Sequence, residues 1–148
     1  MTDMADNHQS TPLSPDELAY GCLAHFLQLN TWLIGPLILY LVKRDSRYVA
    51  FHSLQVVILQ GVVTVLWAIC FVGFFSAMLL SFPDRGAPGA HPTQPPFFFM
   101  FFPIIWLIMM GTWVLSLILG IVYGIKAIRG QWAEYPFLGR WAKKIVGP

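Results

Sequence analysis

Charge is scarce in this chain. Asp, Glu, Lys and Arg make up 11% of the 148 residues, against about 25% in ordinary soluble domains. Hydrophobic residues reach 57%. A chain of this length cannot hide so much apolar surface from water, which excludes a free-standing soluble domain and makes lipid the solvent for much of the surface. No Asp or Glu falls inside a long apolar run, which argues against an ion-coupled transporter built on an intramembrane carboxylate. Lys and Arg are missing from the first 42 residues, so no basic segment introduces a secretory signal, and the first hydrophobic helix is expected to direct the chain to the membrane. There are only two cysteines, Cys22 and Cys70, both within apolar stretches, which excludes a disulfide framework. A net charge of +2 gives nucleic acid no hold. Missing too are GxSxG, HExxH, a P-loop and a DxD-like pair. Asp84 and Glu134 are expected on opposite sides of the membrane, and neither cysteine has a base placed near it in sequence, so no enzyme chemistry is expected.

What is present is helix-forming apolar sequence. The expected fold class is all-α: an integral membrane helical bundle of three long apolar helices over about 18–42, 52–82 and 97–125. These lie in a transmembrane domain spanning 14–130, between a disordered polar tail (1–13) and a basic, aromatic cytoplasmic interfacial tail (131–148). Ser14, Pro15 and Glu17 form a helix-start signal, with Ser14 as N-cap, Pro15 at the first helical position and Glu17 completing a capping box. Within the first span, His25, Gln28, Asn30 and Thr31 are polar and Gly35-Pro36 should kink or break the helix. Two forms follow, a kinked spanning helix or two half-helices in a re-entrant hairpin. Residues 43–50 read as a short basic loop, and 83–96 as a loop too rich in Pro and Gly to be helical.

Basic residues set the orientation. Lys43, Arg44 and Arg47 lie in the first loop, Arg85 alone in the second, and Lys126, Arg129, Arg140, Lys143 and Lys144 after the last span. The positive-inside rule therefore places the C-terminus and the 43–50 loop in the cytoplasm and the 83–96 loop outside. The side of the N-terminus depends on which form the first segment takes. Topology alone accounts for these cationic residues; contact with anionic lipid or a cytoplasmic partner is the sharper alternative.

The segments LAYGCLAHF, GPLILYLVKRDSRYVAFHSLQ and IKAIRGQWAEYPFLGR resemble a widespread bacterial family of small membrane proteins catalogued as a domain of unknown function. That family is described as similar to the twenty-kilodalton Tic subunit of chloroplast inner-envelope protein import. The resemblance covers roughly residues 17–140. Matching positions include Ala24, His25, Gly35, Pro36, Lys43 to Asp45, His52, Gln55 and Ala127 through Pro136, whereas the 83–96 loop is longer and more Pro-rich than the family pattern. It implies a helical membrane bundle with basic ends in the cytoplasm; protein import carries over only as an analogy of fold.

Three constellations stand out. An intramembrane polar cluster comprises His25, Gln28, His52, Gln55, Gln60 and Thr64. At about 100° per residue, Gly21, His25, Gln28 and Trp32 share one sector of the first helix, and Ser53, Gln60 and Thr64 share one face of the second. Lipid is a costly neighbour for such groups, so they should face inward, either fixing the bundle by interhelical hydrogen bonds or lining a polar, pH-sensitive path. Two scattered histidines without carboxylates do not make a metal or haem site, and no cofactor is expected. Thr112, Ser116, Gly120 and Gly124 form a small-residue packing face whose partner is a helix of this chain, a second copy or another protein. The basic residues named above form the third group.

Function is thus expected to be non-enzymatic, in the bacterial cytoplasmic (inner) membrane. The leading reading is an interaction or scaffold subunit of a membrane complex, touching protein insertion or translocation; the alternative is a homo-oligomeric small channel or transport unit. Expected partners are the lipid bilayer and a membrane-protein partner or further copies of the chain.

Overall fold

A computed structural model describes residues 12–80 and 97–146. Its helices are α1 (Pro15–Thr31), α2 (Ile34–Val42), α3 (Arg47–Leu80), α4 (Phe102–Ile128) and α5 (Leu138–Val146), with a 3₁₀ turn at Phe97–Met100 before α4. There is no strand among the described residues. Residues 1–11 of the expected polar tail and residues 81–96, with the expected external loop, lie outside the described residues.

Helix α1 begins as its sequence dictates. The Glu17 amide donates to Ser14 Oγ at 3.2 Å, and the Ser14 amide donates to the Glu17 carboxylate at 2.9 Å. It ends at Trp32, whose φ of 55° places it in the left-handed region. Pro36 explains why the break falls there and not at Gly35-Pro36. Proline has no N–H, so it fits the first turn of a new helix, where no intrahelical acceptor is needed. Helix α2 therefore starts at Ile34, and its first internal bond runs from the Leu37 amide to the Leu33 carbonyl at 3.1 Å. Gly35 permits the fold-back, since a Cβ there would come within 3.2 Å of Leu27 Cβ.

Helix α2 returns along α1. Leu39 packs with Ala24 and Val49, Lys43 Nζ sits 4.6 Å from the centre of the Tyr20 ring, and Ser46 Oγ donates to Glu17 Oε1 at 2.7 Å. The first apolar segment thus ends at the level where it began, as a helical hairpin. This corrects the expectation of three long apolar helices: among the described residues, only α3 and α4 have the length and composition to cross a membrane. At ~1.5 Å per residue the 17 and 9 residues of α1 and α2 reach about 26 and 14 Å, short of a ~30 Å hydrocarbon core.

Helix α3 starts at Arg47, not His52, because Ser46 caps it: the Val49 amide donates to Ser46 Oγ at 3.4 Å and the Ala50 amide to the Ser46 carbonyl at 2.9 Å, and nothing in RYVA interrupts a helix. Helices α3 and α4 run antiparallel. Tyr48 Oη donates to the Ala127 carbonyl at one end (2.5 Å), Trp67 Nε1 to Thr112 Oγ1 midway (2.9 Å), and the Phe74 and Phe102 rings meet further along. Gly130, with φ of 74°, ends α4 and turns the chain back over the bundle. The C-terminal residues are therefore partly built into the fold. Tyr135 is buried, and Ala142 of α5 packs with Phe51 and Leu54 of α3.

The core sits at one end. Buried residues of α3 stop at Val63 and those of α4 begin at Ser116. Helix α1 fills the space between them to the level of Trp32, whose indole donates to Thr64 Oγ1 at 2.8 Å. Beyond that level α3 and α4 present Val65, Ile69, Val72, Leu107 and Val114 outward, a surface suited to lipid. All charged residues among those described lie at the packed end.

Candidate functional site: a closed polar core

Where α1, α3, α4 and the segment after Gly130 converge, the polar side chains meet. His25, Gln28, His52, Gln55 and Gln60 are all 2% exposed or less. Tyr135 Oη lies 2.8 Å from His25 Nδ1, and His25 Nε2 lies 3.1 Å from His52 Nδ1. A tyrosine and two imidazoles thus form one hydrogen-bonded row across α1, α3 and the tail. Of the two nitrogens at the histidine contact, one must donate and the other accept, so the row admits at most one imidazolium. Burial raises the Tyr135 phenol above its ordinary range, which keeps its proton in place.

The amides form a second network. Gln60 Nε2 donates to Gln28 Oε1 at 3.2 Å, and Gln28 Nε2 to the Ser116 carbonyl at 3.3 Å. Gln55 clasps the returning tail: its Oε1 accepts from the Tyr135 amide at 2.6 Å, and its Nε2 donates to the Ala133 carbonyl at 3.2 Å. Tyr123 Oη reaches the Glu134 carbonyl at 3.1 Å. Thr64 stands at the exposed rim, where its hydroxyl donates to the Gln60 carbonyl at 2.6 Å. His52 Nε2, Ser53 Oγ and Gln60 Oε1 have no hydrogen-bond partner among the described residues.

At 2% exposure or less, the two histidines and three glutamines do not open onto the surface. Both His25 nitrogens are engaged, and among the described residues no three His, Cys, Asp or Glu side chains come together. Two imidazoles and a phenol arranged in this way are a poor ligand set for a metal ion.

The small-residue face of α4 is divided. Ser116, Gly120 and Gly124 are buried against α1: a Cβ on Gly120 would lie 2.6 Å from Gln28 Nε2, and one on Gly124 would lie 3.0 Å from the Phe26 ring. Thr112 belongs to the Trp67 contact instead. Of the basic residues, Lys126 Nζ lies 4.9 Å from the Tyr123 ring centre and Lys143 pairs with Glu134 at 3.0 Å, while Arg44, Arg47, Arg129, Arg140 and Lys144 are exposed. Glu17, outside the spans, has its carboxyl held below the ordinary range by the Ser46 hydroxyl and then by Ser14.

Tyr48, Tyr123 and Tyr135 belong to this core and escape a reading that follows polar residues along apolar spans. The one local signal was spacing, since Tyr48 lies one helical turn before His52 and their rings are 4.6 Å apart.

No match is found among curated proteins or among solved structures. Residues 16–142 match the magnetosome magnetite crystal formation protein family, MamF/MmsF, a stretch that runs from the second residue of α1 through α4 and the polar core into α5. The chain is a member of that bacterial family of small membrane proteins.

Proposed function

We propose that this protein is a non-enzymatic scaffold of the magnetosome membrane that promotes magnetite crystal formation by organising other membrane proteins. Magnetite formation, and not protein insertion, is taken as the process served. The carrying observation is the family match, which covers nearly all of the described fold. Scaffolding is favoured over conduction because His25, Gln28, His52, Gln55 and Gln60 are shut off from the surface and bond mainly to one another, to Tyr135 and to the backbone. By the positive-inside rule, the packed end, with its basic residues, faces the cytoplasm. On this reading the α1–α2 segment is a re-entrant hairpin with the start of α1 on that side as well, and α3 and α4 are the crossing helices.

Deleting the gene in its native host and imaging the mineral by electron microscopy tests the role. Smaller or misshapen crystals within intact membrane compartments are expected, together with stoichiometric membrane-protein partners on mild-detergent extraction. Unaltered crystals would remove the magnetite role, and a chain that extracts without companions would remove the scaffold.

A further inference from the structure

Helix α5 carries three faces. Gly139 and Ala142 are buried, and Ala142 packs on Phe51 and Leu54 of α3. Arg140, Lys143 and Lys144 occupy a second, exposed face. Trp141 and Ile145 form a third, 61% and 63% exposed, and the preceding turn adds Phe137 at 76%. A helix with one face held by its own bundle has no use for a second apolar face in water.

Its position and surroundings indicate what meets these faces. Phe51 and Leu54 lie one to two turns inside Arg47, or about 6–10 Å along the axis, the depth at which interfacial helices rest. Eight basic and four acidic side chains are described, all at this end of the bundle. Two of the acids are engaged locally, Glu17 by Ser14 and Ser46 and Glu134 by Lys143.

We propose that α5 is a built-in recognition surface for anionic phospholipid headgroups of the bilayer that α3 and α4 cross. Trp141 and Ile145 enter the acyl boundary, and Arg140 and Lys144 bind phosphate-bearing headgroups beside it. Lys143 contributes less because Glu134 already holds it. This assignment depends on the membrane placement of α3 and α4 and not on the scaffold role, so failure of either leaves the other standing.

The test uses the full chain in bilayers of phosphatidylcholine and phosphatidylglycerol, with spin-labelled lipids reporting which headgroup associates with the protein. Phosphatidylglycerol should be preferred. At about five-fold per basic residue near the surface, R140Q/K144Q should lower the preference by up to about 25-fold, while R140K/K144R should retain it. Quenching of Trp141 by brominated acyl chains, read as the difference between the parent and W141F, should be strong. An undiminished preference in R140Q/K144Q overturns the proposal, even if K43Q/R44Q abolishes it, and so does a Trp141 that acyl bromines do not quench. Either result would leave an acidic protein segment as the better occupant.

Discussion

Replacing Gly120 with alanine should unseat α1 from α4. The added Cβ would lie 2.6 Å from Gln28 Nε2 and 3.1 Å from the His25 carbonyl oxygen. The amide ends a side chain and can turn away, but only by surrendering its bond to the Ser116 carbonyl and disturbing the one from Gln60. The His25 carbonyl belongs to the backbone of α1 and moves only with that helix. Overpacking costs about 1–3 kcal/mol and a stranded buried amide about as much again, against up to about 1 kcal/mol gained in helix propensity, so G120A should lose roughly 1–5 kcal/mol. Gly111 on the same helix is the control, because a Cβ there meets nothing within 4 Å. G111A should be neutral or gain up to about 1 kcal/mol from helix propensity. Thermal unfolding of the full chain in mild detergent, followed by far-ultraviolet circular dichroism, compares the two. Q28A removes the nearer obstacle, so Q28A/G120A should cost less than the sum of its single changes. Equal melting of G120A and G111A would refute the packing of α1 on α4.

Tyr135→Phe leaves His25 Nδ1 without its partner in a fully buried site; a loss of about 1–3 kcal/mol and faster proteolysis between residues 131 and 137 should follow. Gly139→Ala should release the same segment, since a Cβ would lie 2.5 Å from Glu134 Cβ and 3.0 Å from Gln55 Oε1; unchanged proteolysis would count against the clasp. The lowered Glu17 carboxyl adds stability that is present above its ordinary value near 4.5 and is lost as pH falls through its lower folded value. A pH series of melting temperatures should show that acid-side loss in the parent and a shallower one in E17Q; identical curves would dismiss the Glu17–Ser46 tie.

Short-range features of this fold could be read from sequence, and long-range ones could not. The capping box at Ser14 is written within four residues, and Gly35-Pro36 announces a break. The exact residue of the break was hidden because Pro36 acts on the helix it begins, moving the turn back to Trp32. That the amides and imidazoles of the apolar segments turn inward follows from the cost of placing them in lipid, but which pairs form does not. Gln55 finds its partner 80 residues away in Tyr135, and His25 finds the same tyrosine across 110. Nothing local marks a tyrosine in an aromatic, basic tail as a core residue, so the burial of Tyr135 is not legible in the sequence.

The side of the membrane on which the chain begins separates a re-entrant hairpin from a third span more directly than any stability measurement. With Cys22 and Cys70 replaced by alanine, single cysteines at Ser14, Asp45 and Gln131 can be probed in sealed vesicles with a membrane-impermeant maleimide. All three should react from the same face, because the Glu17–Ser46 bond and the Tyr48–Ala127 bond hold their segments at one end. Labelling of position 14 from the face opposite position 45 would contradict the hairpin and restore three crossings.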